Sequence, residues 1–275
     1  MHRWGIIGVG VAGRARARAI QADPRGEVTT SYRGDPEPVD IPSVGRLDDL
    51  WDQVDAVAIC SPDHTHPDMV RQALDHGKHV VCEFPLARTG DEAQALFDAA
   101  QKAGRILHVE HIELLSATAQ WWRQNPPRSV TRGRLAFTSS RTGVDVALGN
   151  LARLHRIIDI LGMPTDFTPE SQSERHLQGT LRFDGSTPIV VDFRFGPGLP
   201  RETTIELITG EGDALQQKNR AITKNRQPVE LPAVGPLFAA DQQVATARIL
   251  DGASGYVSEA HIVETLRWVE RLSAG

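Results

Sequence analysis

Cysteine, tyrosine and long apolar stretches are scarce in this chain of 275 residues. It has two cysteines, two tyrosines and an aromatic fraction of 5%. Cys60 and Cys82 lie in apolar segments with no CxxC spacing and no nearby ligand set, so we expect buried thiols and neither a disulfide framework nor a metal site. No apolar run is long enough to cross a bilayer and the N-terminus does not resemble a signal peptide, so we expect a cytoplasmic protein with no membrane partner.

The chain also lacks positive charge in excess. Its formal net charge is −5, and charged residues make up 24% of it. This balance argues against general binding of nucleic acid, which needs a basic surface. The length is enough for roughly two domains with cores of their own. We therefore expect two globular domains and a small-molecule ligand.

The segment Trp4–Ile20, WGIIGVGVAGRARARAI, is the most informative part of the sequence. It predicts a buried strand, a glycine turn and a helix that begins at once. In a dinucleotide-binding turn, Gly8 permits the tight bend, Gly10 lets a pyrophosphate approach the backbone, and Gly13 lets the helix pack on its strand. The N-terminus of the helix then faces the phosphates. The predicted phosphate-binding residues are Gly8, Gly10, Val11, Ala12 and Gly13.

Alternating apolar strands and helices continue to about residue 115 and predict a doubly wound parallel sheet. Ligands bind at the carboxyl ends of such strands. This rule selects three loops, which are Ser61–His66, Glu83–Pro85 and His108–Glu113.

From about residue 121 the pattern changes to alternating strands with a helix at Leu148–Leu161. We therefore predict an α/β protein with a Rossmann domain at 1–115 and an α+β domain at 116–275. The second domain is expected to contain a mostly antiparallel sheet and to serve the substrate or oligomerisation. A homo-oligomer through this sheet is an open alternative.

The end of the second strand decides which nicotinamide cofactor is favoured. Ser31, Tyr32 and Arg33 lie there, and an arginine with small polar neighbours accommodates the 2′-phosphate of NADPH. Asp35 is the counter-argument, because an acid at this point would bind the 2′-hydroxyl of NADH. We expect NADPH, with NADH the less favoured alternative.

These motifs together resemble the glucose-fructose oxidoreductase/inositol dehydrogenase/MocA family. The resemblance rests on GVGVAG, SPDHTH, GKHVVCEFPLA and the antiparallel second half. Most members have Glu-Lys-Pro where this chain has Glu83-Phe84-Pro85, and the lysine helps hold the substrate and transfer a proton. Phe84 cannot do so, and Leu151 occupies the position of the usual helical aspartate.

Within the family the chain is similar to the biliverdin reductase branch, in which an aromatic residue separates the glutamate and proline. The stretch HVEHIELL, from His108 to Leu115, and Arg153 on the second-domain helix match that branch. The resemblance implies a reductase that passes hydride from NADPH to biliverdin or a similar conjugated acidic substrate. A sugar, cyclitol or imine oxidoreductase of the same family and a non-catalytic NADPH-binding regulator are the alternatives.

Each candidate site residue has a structural alternative. Arg153 is expected to hold a substrate carboxylate or assist protonation, although a salt bridge between helices would also explain it. Phe84 is a stacking wall or a core aromatic, and Glu83 a cofactor ligand or a helix cap. The predicted roles are catalytic for Arg153, Glu110 and His111, substrate-binding for Phe84, Glu113 and His155, and cofactor-binding for Ser31, Tyr32, Arg33, Ser61, Pro62, Asp63, His66 and Glu83.

Overall fold

A computed structural model of the protein describes residues 1–143, 145–184 and 188–273. By its internal contacts the chain divides into two compact units. The first unit comprises Met1–Leu115 and Gly235–Glu264, and the second comprises Ser116–Val234 and Thr265–Gly275. The sequence placed every residue from 116 onward in one domain, whereas 235–264 pack with the N-terminal unit.

The first unit is built on a six-stranded parallel sheet with the order β3-β2-β1-β4-β5-β6. Its central strands are fully buried because both faces of a parallel sheet are covered, which explains their continuous apolar runs. Trp4, Ile6, Ala58 and Val81 belong to its core. The strands are β1 (His2–Val9), β2 (Gly26–Gly34), β3 (Ser43–Val44), β4 (Ala56–Ile59), β5 (His79–Cys82) and β6 (Leu107–Val109).

The helices of the first unit begin and end at residues with a physical reason to be there. Thr89 caps the helix Gly90–Ala103 by accepting from the Glu92 N–H, and Gly104 ends it with φ of 63°. Caps of this kind stabilise a helix by about 1 kcal/mol. The helices are α1 (Val11–Gln21), α2 (Asp48–Trp51), α3 (His66–Asp75) and α4 (Gly90–Ala103), with 3₁₀ turns at Glu37–Val39, Asp63–Thr65 and Ile112–Leu115.

A helix distant in sequence completes this unit. Helix α7 (Leu237–Asp251) packs on α1 and buries Asp241, Gln242 and Ala245. The two polar side chains are fully buried because Arg16 of α1 binds both of them. This contact is the physical reason why 235–264 belong to the first unit.

The second unit contains an eight-stranded sheet with the order β14-β13-β12-β11-β7-β10-β9-β8. All of its neighbouring pairs are antiparallel except β7 and β10. The predicted fold class, a Rossmann domain with a mostly antiparallel α+β domain, is confirmed. The strands are β7 (Val130–Ser139), β8 (Pro164–Ser173), β9 (His176–Phe183), β10 (Ile189–Phe195), β11 (Glu202–Thr209), β12 (Ala214–Lys218), β13 (Ala221–Lys224) and β14 (Gln227–Pro228).

One face of this sheet is apolar and the other polar, as period-two alternation requires. Phe137, Phe193 and Leu207 are buried on the apolar face. Trp122 of α5 donates its indole N–H to the buried Gln217 of β12 at 2.7 Å, which ties a helix to this sheet. The helices are α5 (Ala117–Gln124) and α6 (Leu151–Leu161), and a 3₁₀ turn at Leu148–Asn150 precedes α6. Helix α8 (Glu259–Ser273) has residues in both units.

The polar face carries a cluster of charges around Asp192. Arg194 donates to this carboxylate at 2.7 Å, Arg134 at 3.3 Å and His176 lies at 3.2 Å. Arg194 is about half exposed, so this pairing is worth less than about 1 kcal/mol. Among the residues that the structure describes, no helix has the length and apolar character needed to span a membrane.

Candidate active site

The carboxyl ends of the parallel strands form a row of backbone hydrogen bonds. The Cys60 N–H donates to Ile7 at 2.8 Å, the Glu83 N–H to Ile59 at 2.9 Å, and the Glu110 N–H to Cys82 at 2.9 Å. Gly8, Cys60, Glu83 and Glu110 are therefore adjacent along one edge. The structure thus brings together, within the first unit, the loops that the sequence selected.

The glycine turn has the geometry that the sequence predicted for it. Gly8 has φ of 94°, and a Cβ there would lie 2.7 Å from the Ser61 nitrogen. A Cβ on Gly13 would lie 2.1 Å from the Gly8 oxygen. Within the described structure, a Cβ on Gly10 would meet no atom inside 4 Å. Gly8 and Gly13 are therefore explained by packing, and the space beside Gly10 is open to a phosphate group.

The N-terminus of α1 suits an anion. Its first turn, which the structure describes in full, contains no acidic residue, and its N-cap Gly10 offers no side-chain oxygen. The N–H groups and the positive end of the helix dipole therefore remain for a ligand. Val11 is 83% exposed at this point, as expected of an apolar residue that a bound cofactor would cover, and Ala12 is half-buried. These residues fit the pyrophosphate of a dinucleotide.

The end of β2 lies against the glycine turn, because the Asp35 N–H donates to the Val9 oxygen at 3.3 Å. Ser31 is buried and donates to the Pro42 carbonyl. Arg33 is exposed, and its guanidinium carbon lies 5.2 Å from the centre of the Tyr32 ring. The Asp35 carboxylate lies 3.6 Å from Arg14 of α1. Two guanidinium groups therefore border this corner, and the acid that would favour NADH is already paired with one of them.

His66 connects two of the loops. Its Nδ1 lies 2.7 Å from the Pro85 oxygen and its Nε2 lies 2.8 Å from the Ser61 oxygen. His66 is 2% exposed, so its ring ties the loop after β4 to the loop after β5, and its predicted contact with the cofactor stays a prediction. On the same loop, Pro62 is exposed and Asp63 half-buried.

Glu83 is held by a buried arginine. Arg16 donates to its carboxylate at 3.1 Å, and the Arg16 side chain is fully buried. Burial raises the pKa of Glu83, while the Arg16 guanidinium opposes this rise. The alternative role as a helix cap is not observed, because Thr89 caps the next helix. The Glu83 carboxylate is thus fixed at the end of β5 and does not cap a helix.

Phe84 and His111 form an aromatic pair beside Glu83. Their ring centres are 4.5 Å apart with planes at 57°. Burial lowers the pKa of His111 to about 3, so its ring is neutral at physiological pH. The two rings are tilted against each other, and the half-buried Phe84 presents an apolar ring without a charge. His111 is therefore suited to stacking, and its predicted role as a proton carrier does not fit its environment.

Glu110 is a buried acid whose environment favours the protonated form. It is 6% exposed, and its Oε1 accepts the Ile112 N–H at 2.7 Å. Burial raises its pKa to about 8, and the nearby carboxylates of Glu83 and Asp241 add to the effect. The side chain is then mostly a neutral acid at pH 7, which is what a proton donor requires. Glu113 is half-buried on the following 3₁₀ turn.

Sequence reasoning missed a buried polar network behind this row. The fully buried Asp241 accepts from Arg16 at 2.6 Å, from His108 at 2.9 Å and from Tyr256 at 2.6 Å. Tyr256 in turn accepts the His111 N–H at 2.8 Å. The spacing of Gly13, Arg16 and Ile20 could have indicated that Arg16 lies on the packed face of α1, but no local signal identifies Asp241 as its partner.

The two remaining candidates lie on α6 of the second unit. The Arg153 guanidinium carbon is 4.1 Å from the centre of the Phe137 ring, which is a cation–π contact. His155 is 1% exposed. Their predicted roles toward a substrate stay predictions.

Residues 2–111 match the sequence profile of the Gfo/Idh/MocA family, described as an oxidoreductase family with an NAD-binding Rossmann fold. This match, together with the relatives described below, supports an oxidoreductase. Its first unit is accordingly an NAD(P)-binding Rossmann fold, in agreement with the glycine turn.

Beyond that domain, the chain is similar over most of its length to known reductases. It is 28% identical to biliverdin reductase A of Mus musculus over 269 residues, which cover 90% of this chain and 86% of that protein. The biliverdin reductase of Synechocystis sp. PCC 6803, solved with biliverdin and NADP⁺, matches with a TM-score of 0.84 at 23% identity, covering 99% of this chain and 98% of that one. The resemblance to the biliverdin reductase branch is confirmed.

The fold alone does not select a substrate. UDP-N-acetylglucosamine 3-dehydrogenase from Acidithiobacillus ferrooxidans also matches with a TM-score of 0.84, at 18% identity and with 99% of this chain and 97% of that chain covered. The substrate therefore has to be argued from the side chains at the row of strand ends.

Proposed function

We propose that the protein is an NADPH-dependent reductase that transfers hydride to biliverdin or to a similarly conjugated, acidic substrate. The observation that carries the proposal is the combination at the row of strand ends. Glu110 is a buried acid with its pKa raised to about 8, and it adjoins the neutral ring pair of Phe84 and His111. An apolar aromatic ring at Phe84 and a nearby proton donor suit reduction of a flat conjugated molecule.

The proposed reaction balances as follows. NADPH, held at the glycine turn and the end of β2, would supply the hydride for an electrophilic methine carbon of the substrate, and the adjacent pyrrole nitrogen would gain a proton. Glu110 gives up that proton and takes another from solvent. The carboxylate left on Glu110 costs free energy in its buried position, so proton return is favoured. Phe84 and His111 hold the ring system by stacking and contribute no charge.

Two further contacts belong to this proposal. Arg33 at the end of β2 would bind the 2′-phosphate through charge-assisted hydrogen bonds, which favours NADPH over NADH. Arg153 would hold a propionate carboxylate of the substrate with its planar guanidinium. Its positive charge would stabilise the negative charge that develops as hydride arrives.

The test is to incubate the purified protein with NADPH and biliverdin and to follow the absorbance change to bilirubin. NADH in place of NADPH and a panel of sugars and cyclitols with NAD(P)⁺ run in parallel. Turnover of biliverdin that is faster with NADPH supports the proposal. Reduction of NAD(P)⁺ by a sugar, or tight NADPH binding without turnover of any acceptor, would overturn it.

A further inference from the structure

The fully buried ion pair of Arg16 and Asp241 links three segments that carry the candidate site. Arg16 lies on α1, Asp241 on α7, and both side chains are 0% exposed. Burying two charges costs several kcal/mol, and their attraction offsets this cost only if the remaining hydrogen-bonding positions are also satisfied. A core made only for stability would use apolar side chains here, so the pair calls for a functional reason.

The pair reaches the site on two sides. On one side Arg16 donates to the Glu83 carboxylate at 3.1 Å, immediately before Phe84. On the other side Tyr256 donates to Asp241 at 2.6 Å and accepts the His111 N–H at 2.8 Å. Phe84 directly follows Glu83, and the backbone of His111 is bound by Tyr256. The network therefore anchors the chain at both residues of the aromatic pair.

We propose that Arg16 and Asp241 are positioning residues of the candidate active site. Their ion pair fixes the Glu83 carboxylate and the His111 backbone, and it balances the charge that surrounds Glu110. This inference deepens the proposed function and rests on it for the kinetic part of its test.

Glu110 is surrounded by charged groups that lie on several different elements. Glu83 follows β5 and Asp241 lies on α7, and both carboxylates raise the pKa of Glu110, while Arg16 on α1 lowers it. His111 next to it is neutral, and His108 and Tyr256 donate to Asp241. Removing one member of the ion pair therefore changes the Glu110 pKa in a direction that depends on which charge is removed.

The experiment uses Asp241→Asn and Arg16→Gln in the full-length protein. The Glu110 carboxyl is titrated by infrared difference spectroscopy without substrate, and its band is assigned with Glu110→Gln. We expect Asp241→Asn to move the midpoint to lower pH and Arg16→Gln to move it to higher pH. Arg16→Lys, which keeps the charge, should stay near the wild-type midpoint. General loosening of the fold would not produce shifts of opposite sign.

Asp251→Asn is the matched control. It makes the same substitution on the same helix, where Asp251 pairs with Arg25 at the surface, 2.8 Å away. We expect it to leave the midpoint and the turnover unchanged. If Arg16→Gln does not fold, Asp241→Asn decides alone, because the amide keeps the shape of the carboxylate.

The kinetic readout separates this inference from the proposed function. With biliverdin, Asp241→Asn should lower kcat by about ten- to a hundredfold, since small misplacements of catalytic groups have effects of this size, and should leave the NADPH dissociation constant unchanged. Opposite infrared shifts without biliverdin turnover would refute the proposed function and keep the charge coupling. An unmoved midpoint in Asp241→Asn, or shifts of the same sign in both variants, would overturn the positioning role.

Discussion

Replacing Glu110 by glutamine should remove the proton donor without changing the shape of the site. In the wild type the fraction of protonated Glu110 falls tenfold per pH unit above the pKa of about 8. We expect kcat to follow this fall. Glu110→Gln should lower kcat on the order of 10²- to 10⁴-fold and abolish the decline above pH 8.

The same substitution has a stability effect whose sign and size follow from the pKa. Glu110 has a pKa of about 8 in the folded protein against an ordinary value of 4.5. The folded state therefore binds the proton more tightly, so its stabilising contribution is fully present below pH 4.5 and is lost as the pH rises through 8. At about 1.4 kcal/mol per pH unit, the loss amounts to about 5 kcal/mol. Glu110→Gln lacks this loss and should gain stability relative to the wild type over that interval.

Urea unfolding at several pH values and steady-state kinetics with NADPH and biliverdin measure the two effects. Glu92→Gln is the control, since Glu92 makes a surface ion pair with Arg71 at 3.4 Å. A Glu110→Gln variant with wild-type kcat and the wild-type decline at high pH would refute the donor role. A stability difference that stays constant between pH 4.5 and 8 would refute the raised pKa.

Three further substitutions test the other residues. Arg33→Ala should weaken NADPH binding by about 1–3 kcal/mol and leave NADH binding nearly unchanged. Arg46→Ala on the surface is the control. An equal loss of affinity for both cofactors would contradict the assignment. Phe84→Lys should lower turnover, because the ammonium enters an apolar site at a cost of a few kcal/mol. Phe84→Tyr should keep the wild-type turnover. A higher turnover with lysine would contradict the stacking role. Arg153→Ala should lower kcat on the order of a hundredfold, with partial rescue by Arg153→Lys, whereas near-native kinetics would contradict a role of Arg153 toward the substrate.

Local signals made most of the fold predictable. The helix Gly90–Ala103 has the predicted bounds because Thr89 and Gly104 supply a cap and a stop. The strands His176–Phe183 and Val130–Ser139 were also predictable, because their alternation matches a sheet with one apolar face. The row of strand ends followed from the same apolar runs.

The strand Pro164–Ser173 was not predictable from its sequence, PTDFTPESQS. It is polar and contains two prolines, both of which are signals against a strand. The structure places it at the edge of the sheet, where it pairs with β9, and the register shifts fall beside Pro164 and Pro169. An edge strand leaves one side of its backbone free, so proline is tolerated there.

The Arg16–Asp241 pair lay beyond sequence reasoning for another reason. The two residues are 225 positions apart, and no local pattern connects them. Helical spacing with Gly13 and Ile20 is the one signal that could have shown Arg16 facing the core, which is an unfavourable place for a guanidinium without a partner. An arginine on a packed helix face is therefore a signal that a buried acid exists, although it does not say where.

The apolar residue at position 84 and the raised pKa of Glu110 are linked. A lysine at position 84, as the family resemblance implies for most members, would place an ammonium where Phe84 contacts His111, the residue that follows Glu110. That charge would lower the Glu110 pKa and turn the acid into a carboxylate at neutral pH. With Phe84 the region holds no such cation, and burial together with Glu83 and Asp241 keeps the proton on Glu110. The loss of the lysine therefore moves the proposed proton source to Glu110, and restoring the lysine would remove both the stacking surface and the donor.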